Sequence, residues 1–481
     1  MESYESSDDD CYEVDLLPAP PTEKKQETGY PSQRLVKTVC LVLLWVSFGF
    51  LTSVGGTTVV DFTEILHESY THIGMALGVH FLGILCGLFL SGFLSDHLRL
   101  DRHMLLGCSA IAMGILNLVK PFSFHVIMYA VVLGVEGLFK GIIKPVANNL
   151  LLSLWGEAAP TPVNIFHFGF GVGALIGPFV TKPFLSERCP SLATNSTRVT
   201  LNPVCKSTAD DDGIKYIRES RIGIPFTISV VPIVAMGVMF LVFYTRNRVS
   251  SIRKGSAVVT SQTPHGDPGT RLGIWGILIV VLLLCYYFTL AGSGFGGYLF
   301  TIAFESDLGC SKDDASKIAS TFYAAFTSGR VLAAVFLQWF SIKTLFIFYV
   351  FGAFGSMLGM AVFGLFSKTS LWLFSAICAL YAGPLWPAGL AWTNNYMHLT
   401  TMNIAVAETG ACVGEIIFFW VGGYLIDTRN IPAIFTMTLT CNAAACLVTV
   451  ILYLIAYRIG KRNFQERNLN DLELKWIPVA K

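Results

Sequence analysis

Apolar residues in this chain run in long blocks rather than in alternating or one-faced patterns. Blocks of about twenty apolar residues have the length that crosses a bilayer as a helix. The pattern predicts twelve spans, over residues 38–60, 72–95, 103–120, 124–150, 162–184, 222–245, 272–300, 314–337, 343–366, 370–396, 402–426 and 432–457. The polar stretches between them set the organisation. Residues 1–36, with the acidic run SSDDDCYEVD and the cluster LPAPP, read as a disordered cytosolic tail. This tail has no apolar core of a signal peptide, so the first span acts as an uncleaved signal anchor. The segment TRNRVSSIRKGSAVVTSQTPHGDPGTR is basic and rich in Ser, Gly and Pro, and reads as a linker between two halves. The expectation is therefore an all-α membrane protein: a six-helix bundle (37–245) with an external loop (185–221), a cytosolic linker (246–271), a second six-helix bundle (272–458) and a cytosolic tail (459–481).

Composition agrees. Hydrophobic residues make up 53% and charged residues 14% of the 481, whereas a soluble domain carries about a quarter charged residues. The formal charge of +1 gives no electrostatic footprint for nucleic acid. The partners implied are the lipid bilayer and a small solute.

Loop charges set the orientation. DHLRLDRH (96–103) and YRIGKRNFQER (457–467) are basic, whereas DFTEILHESY (61–70) has acids and no Lys or Arg. Both termini therefore face the cytosol, with the plasma membrane as the expected location. The 185–221 loop holds several Lys and Arg, but long loops weigh little in this rule. Its NST at Asn195 is an N-glycosylation acceptor, consistent with an external place. Cys189 and Cys205 share that loop, sixteen residues apart, and form the expected disulfide, with Cys310 as an alternative partner. The chain shows no CxxC or His/Cys cluster, no nucleophile elbow, no P-loop and no kinase signature, so neither a metal, a cofactor nor an enzyme activity is expected.

One span breaks the apolar pattern. VEGLFKGIIKPVANNLLLSLWG (135–156) places Glu136, Lys140 and Lys144 four residues apart, on one helix face. Each charge near a helix centre costs about 2.5–3.5 kcal/mol on insertion scales, so such residues turn to the bundle interior or a watery cavity. The plainer reading is internal neutralisation, Glu136 with Lys140 and Lys144 with an acid on another helix, Glu408 or Glu415. The functional reading puts Lys144 on the central cavity, as a fixed charge in place of a bound sodium or as a ligand for an anionic solute. Asn148, Asn149, Asn394 and Asn395 both donate and accept, as sugar hydroxyls require. Trp45, Tyr287, Tyr298, Trp386 and Trp392 offer flat faces to a sugar ring, although aromatics near span ends are commonly interface anchors. Trp386 and Trp392 are favoured because they lie beside Pro384 and Pro387. The segments AGSGFGGY and GPLWP interrupt spans seven and ten, and irregular backbone survives in a membrane only where protein or a watery cavity covers it. His80 reads as a packed or hydrogen-bonded histidine rather than a proton relay.

Twelve spans split by a cytosolic linker is the layout of a major facilitator superfamily carrier. GFLSDHLRLDRH (92–103) resembles that superfamily's loop motif through Gly92, Asp96, Arg99 and Arg102, with His97 where a basic residue is usual. Asp96 is then placed to accept from a neighbouring Arg and latch the two halves, and Gly329–Arg330 is a second short likeness. Further blocks, ANNLLLSLWGE, FHFGFGVGALIGPFV (166–180), FGGYLFTIA (295–303), SGRVLA (328–333), WPAGLAW (386–392) and TGACVGEII (409–417), resemble the sodium-dependent glucose transporter family and its orphan facilitator-domain relatives. The resemblance implies a twelve-helix major facilitator fold, alternating access and a hexose solute. Asp61, Asn148, Trp155, Gly156, His167, Arg330, Pro387, Trp392 and Glu415 match the family pattern in place. Lys144, Asn148, Asn149, His167, Trp386, Trp392, Asn394 and Glu415 are the expected solute-binding residues. Gly92, Asp96, Arg102, Glu136, Lys140, Arg330 and Pro387 are expected to be structural or gating. Two departures matter. The family pattern has an aspartate four residues before Asn148 and a glutamate three residues before the aromatic–Gly pair of span seven; this chain has Lys144 and Gly292. Hard cations take oxygen ligands, so coupling stays open between Na+, H+ through Glu408 or Glu415, and uniport. The alternatives are an organic-anion carrier using Lys144 and a non-transporting membrane sensor.

Overall fold

The structure is a computed structural model and describes residues 31–155, 160–188, 216–253, 294–394 and 401–475. The first half comprises α1 (Pro31–Thr57), α2 (Val59–Leu66), α3 (Tyr70–Gly92), α4 (Arg102–Val119), α5 (Val126–Trp155), α6 (Pro160–Thr181) and α7 (Gly223–Arg253). The second comprises α8 (Gly294–Glu305), α9 (Lys312–Phe336), α10 (Ile342–Phe363), α11 (Lys368–Ala382), α12 (Leu385–Asn394), α13 (Thr401–Asp427) and α14 (Ile431–Lys475). Among the described residues, eleven helices are long and apolar enough to cross a membrane. They follow the expected spans in order. Of the seventh span, α8 carries the described part, and 272–293 lie outside the described residues.

Side chains such as Phe89, Ile127, Val231, Leu373 and Leu447 turn outward, while Leu41, Ile143, Phe166 and Phe418 are buried. Apolar exposure on this scale marks a surface that faces lipid. Small residues let the helices close up, as is usual between membrane helices. A Cβ on Gly137 or Gly141 of α5 would collide with the carbonyls of His80 or Ile84 on α3. Polar caps start several helices: Ser69 for α3, Asp101 for α4, and Ser311 with Asp314 as a capping box for α9.

The structure differs from the hydropathy reading at several joints. The first span divides after Thr57, and α2 follows; the hydroxyls of Thr57 and Thr58 bond carbonyls one turn back. Span ten, by contrast, divides where GPLWP is expected to interrupt it, at Gly383–Pro384, because proline has no N–H to continue a helix. α14 runs on to Lys475, through most of the segment expected to be tail. The near end of the 185–221 loop pairs with its far end as a short antiparallel ribbon, β1 (Glu187–Arg188) on β2 (Tyr216–Arg218). Cys189, Asn195 and Cys205 lie outside the described residues. Cys310, the alternative disulfide partner, is a buried free thiol.

The halves meet chiefly along two seams, where α3 packs on α13 and α6 packs on α9, with α1 also on α8 and α5 on α13. The polar residues of interest lie along these seams.

Candidate transport site

Pro145 interrupts the hydrogen-bond ladder of α5 immediately after Lys144. Here the charge crosses the seam. Lys144 Nζ lies 2.6 Å from Glu408 Oε2 on α13, with the carboxylate 3% and the lysine 24% exposed. Of the two acids that the sequence offers as partners, Glu408 is the one in direct contact. Asn148 is buried and turns its amide back to the Lys144 carbonyl, 3.0 Å away. One turn before Lys144, Lys140 reaches Thr52 Oγ1 on α1 at 3.4 Å. Glu415, two turns along α13 from Glu408, lies within electrostatic reach of both Lys140 and Lys144. Two lysines of the first half thus face two glutamates of the second.

The expected Glu136–Lys140 pair does not form. Glu136 instead meets Lys120 from the end of α4, at 2.5 Å, and both side chains are almost wholly buried. Asn117 bridges the pair, accepting from Lys120 at 2.9 Å and donating to Glu136 at 3.4 Å. The Lys120 ammonium also sits over the Phe226 ring, 5.1 Å from its centroid. Spacing on one helix face places Glu136 and Lys140 as neighbours, but the α3–α4–α7 side of α5 supplies a closer cation. His80 is held by the Leu133 carbonyl at 3.0 Å.

The second seam carries His167 and Arg330. Arg330 Nε donates to the Gly383 carbonyl at 2.9 Å, and Nη1 donates to the His167 carbonyl at 2.5 Å. One cation therefore ties α9 to α6 across the halves and to the break in span ten. Glycine makes this approach feasible, since a Cβ on Gly383 would strike the Phe326 carbonyl. Phe326 and Phe170 present ring faces to the guanidinium at 4.4 and 5.9 Å. The His167 imidazole packs edge-on against Trp45 and Phe166. Tyr298, one of the aromatics considered for a sugar ring, is fully buried and donates to the Phe419 carbonyl. Trp386 and Pro387 begin α12 and are partly exposed; Trp392 and Asn394 belong to the same helix, with side chains outside the described set.

At the end where α2 meets α3, a polar network joins the halves. Asp61, fully buried, accepts from Lys312 Nζ (2.7 Å), Ser186 N (2.8 Å) and Ser220 Oγ (2.5 Å). Glu64 accepts from Ser186 Oγ at 2.5 Å. Lys182 pairs with Asp313, and Asp427 accepts from the amides of Tyr70 and Thr71. Sequence reasoning noted Asp61 but missed Lys312, Ser186, Ser220 and Asp427. No local signal pointed there, since Asp313 and Asp314 directly after Lys312 already supply acids in the first turn of that helix. At the opposite end, Gly92 closes α3, a π-helical turn Phe93–His97 follows, and Arg99 is in the left-handed region. Arg102 bonds Ser153 on α5 at 2.9 Å, while the Asp96 side chain lies outside the described set. In this loop, burial works against ionisation of Asp101, but hydrogen bonds from His103 and from the amides of His103 and Met104 outweigh it and hold the carboxyl below its usual range.

Comparison with known proteins gives this arrangement a setting. The sodium-dependent glucose transporter 1 of Xenopus laevis is 25% identical over 87% of this chain and 81% of its own. The mouse major facilitator superfamily domain-containing protein 4A is 22% identical over 83% of this chain and 88% of its own. The crystal structure of a D-xylose-proton symporter superposes with a TM-score of 0.62 at 14% identity, covering 86% of this chain and 97% of that one, which shows a shared fold. The family model of the Major Facilitator Superfamily matches residues 40–417. With that match over most of its length and two helical halves joined by polar residues along their seams, the chain belongs to the Major Facilitator Superfamily.

Proposed function

We propose that the protein is a secondary carrier that moves a small polyhydroxylated solute of the hexose class by alternating access. The observation that carries this reading is the Lys144–Glu408 contact, an ion pair formed between the halves inside the membrane. A pair placed solely to stabilise a bundle would be equally at home within one half, as Lys120–Glu136 is. Across a seam, it is made and broken as the halves rock around a central site. Asn148 and Asn149 on the same helix as Lys144, and Trp386, Trp392 and Asn394 on α12, are the groups assigned to solute hydroxyls and ring faces. The names of the glucose-transporting relatives support the solute class. Loop charge supports cytosolic termini, and the plasma membrane is the proposed location.

The test is uptake of labelled D-glucose into proteoliposomes holding the purified full chain, beside a panel of neutral and charged solutes. Saturable uptake above empty liposomes is expected. A protein that moves no member of the panel, yet binds one, would be a sensor rather than a carrier.

A further inference from the structure

The charges inside the membrane do not balance. Apart from the Asp61–Glu64–Lys312 network at one end, the described spans hold three interior carboxylates, Glu136, Glu408 and Glu415, and four interior cations, Lys120, Lys140, Lys144 and Arg330. Lys120 is matched by Glu136 and Lys144 by Glu408. Lys140 contacts the Thr52 hydroxyl and lies within electrostatic reach of Glu136 and Glu415. The surplus charge is on Arg330. Its partners are two carbonyls and two aromatic rings, and no carboxylate reaches it among the described residues. Nε and Nη1 are used, which leaves the Nη2 donors without a partner there.

His167 is the second observation. Only 6% of it is exposed, yet neither ring nitrogen has a hydrogen-bond partner among the described residues. Buried polar groups are ordinarily paired. Its ring lies within electrostatic reach of both Arg330 and Lys144. Depth agrees as well. Lys144 and Arg330 each lie eighteen residues from the start of their helix, α5 and α9, about 27 Å along the axis. One layer therefore holds a neutral ion pair, an unmatched guanidinium and an unpartnered imidazole.

We infer that Arg330 and His167 form a carboxylate-binding subsite, and that the solute is a hexose-class monoanion such as a hexuronate. This rests on the carrier reading and specifies its solute. The guanidinium offers Nη2, and a neutral imidazole adds one N–H donor; together they suit a carboxylate. Lys144 is not the anion's partner, because Glu408 already neutralises it. The surplus is one charge, which a monoanion cancels, whereas a phosphate ester carries about −1.5 to −2. The hydroxyl-bearing remainder of the solute extends toward Asn148.

The experiment compares D-glucuronate with D-glucose in proteoliposomes holding the full chain, with a potassium–valinomycin potential imposed. Saturable glucuronate uptake is expected, rising at least threefold when the interior is made positive, since one negative charge crosses per cycle. Arg330→Gln is expected to lower it at least tenfold, His167→Ala severalfold, and Arg330→Lys less than Arg330→Gln. If Arg330→Gln fails to fold, wild-type binding decides: glucuronate must raise the melting temperature in detergent more than glucose does. Glucose uptake with glucuronate neither carried, competing nor binding overturns the subsite and leaves the carrier standing. Uptake of neither sugar, with no binding, overturns both.

Discussion

Lys312 and Asp61 meet at 2.7 Å across the two halves, the lysine from the first turn of α9 and the aspartate from α2, fully buried. Asp61 also accepts from Ser186 and Ser220, which bring the residues after α6 and those before α7 to the same spot. The halves cannot separate at this end while the contact persists. Removing one partner of a buried pair costs about 3–5 kcal/mol, largely through the uncompensated charge left behind. Lys312→Met is therefore expected to open this end. Spin labels on exposed positions of α3 and α13 should report a longer, broader distance distribution in the variant. An unchanged distribution would show that the remaining contacts at this end, Lys182 with Asp313 and Asp427 with the amides of Tyr70 and Thr71, hold the closure without Lys312.

The buried Lys120–Glu136 pair predicts the opposite behaviour. It lies within one half, bridged by Asn117 and covered by Phe226. Lys120→Met is expected to lower thermal stability in detergent by an amount on the order of 3 kcal/mol, while Lys120→Met with Glu136→Leu recovers much of the loss, since a packed apolar pair can replace a buried ion pair. Uptake per folded molecule should stay within a factor of about three in the double variant, because a pair inside one half is not broken as the halves rock. Greater loss in the double variant than in the single one would assign the pair a direct part in transport.

Much of this fold was legible in the sequence. Membrane spans announce themselves because lipid requires about twenty apolar residues in a row, and that requirement gave the order of the eleven described spans. The broken span at Pro384 was equally legible, because proline acts locally. Partner choice was not. Glu136 and Lys140 are neighbours on one helix face, yet Glu136 turns to Lys120, sixteen residues earlier in the chain, through a packing of α4 on α5 that spacing does not encode. Asp61 and Lys312 are 251 residues apart, and nothing local joins them. That Arg330 meets carbonyls and rings rather than a carboxylate became visible only once its contacts among the described residues were in place.

The loop between Glu187 and Tyr216 offers a test of topology. Its ends are clamped by the short ribbon and by Arg218 Nε donating to the Leu185 carbonyl at 2.8 Å. Cys189 directly follows the ribbon in sequence, so a bridge to Cys205 would close a small loop carrying the Asn195 acceptor. Deglycosylation of protein from a glycosylating cell is expected to lower its mass, and Asn195→Gln to abolish that shift. A wild-type mass insensitive to glycosidase would place this end of the molecule on the cytosolic side.

The Lys144–Glu408 contact bears on ion coupling. A hard cation bound at this level needs oxygen ligands, and Glu408 is a buried candidate. Its carboxylate already meets an ammonium at 2.6 Å. A sodium ion there would have to displace Lys144, leaving that cation facing another cation in a medium of low dielectric. Transport is therefore expected to be nearly independent of sodium. Initial uptake at matched ionic strength, with sodium replaced by choline, should change by less than a factor of two. A tenfold fall, equivalent to about 1.4 kcal/mol of coupling, would defeat this reading. Lys144→Ala provides the sharper comparison. It frees Glu408 inside the membrane, so uptake should drop at least tenfold in choline and recover in part when sodium is restored, the ion taking the place of the lost ammonium. Lys144→Ala with Glu408→Gln removes both charges and should show no such recovery. If sodium rescues the double variant as well as the single one, the cation is binding elsewhere and the lysine is not its substitute.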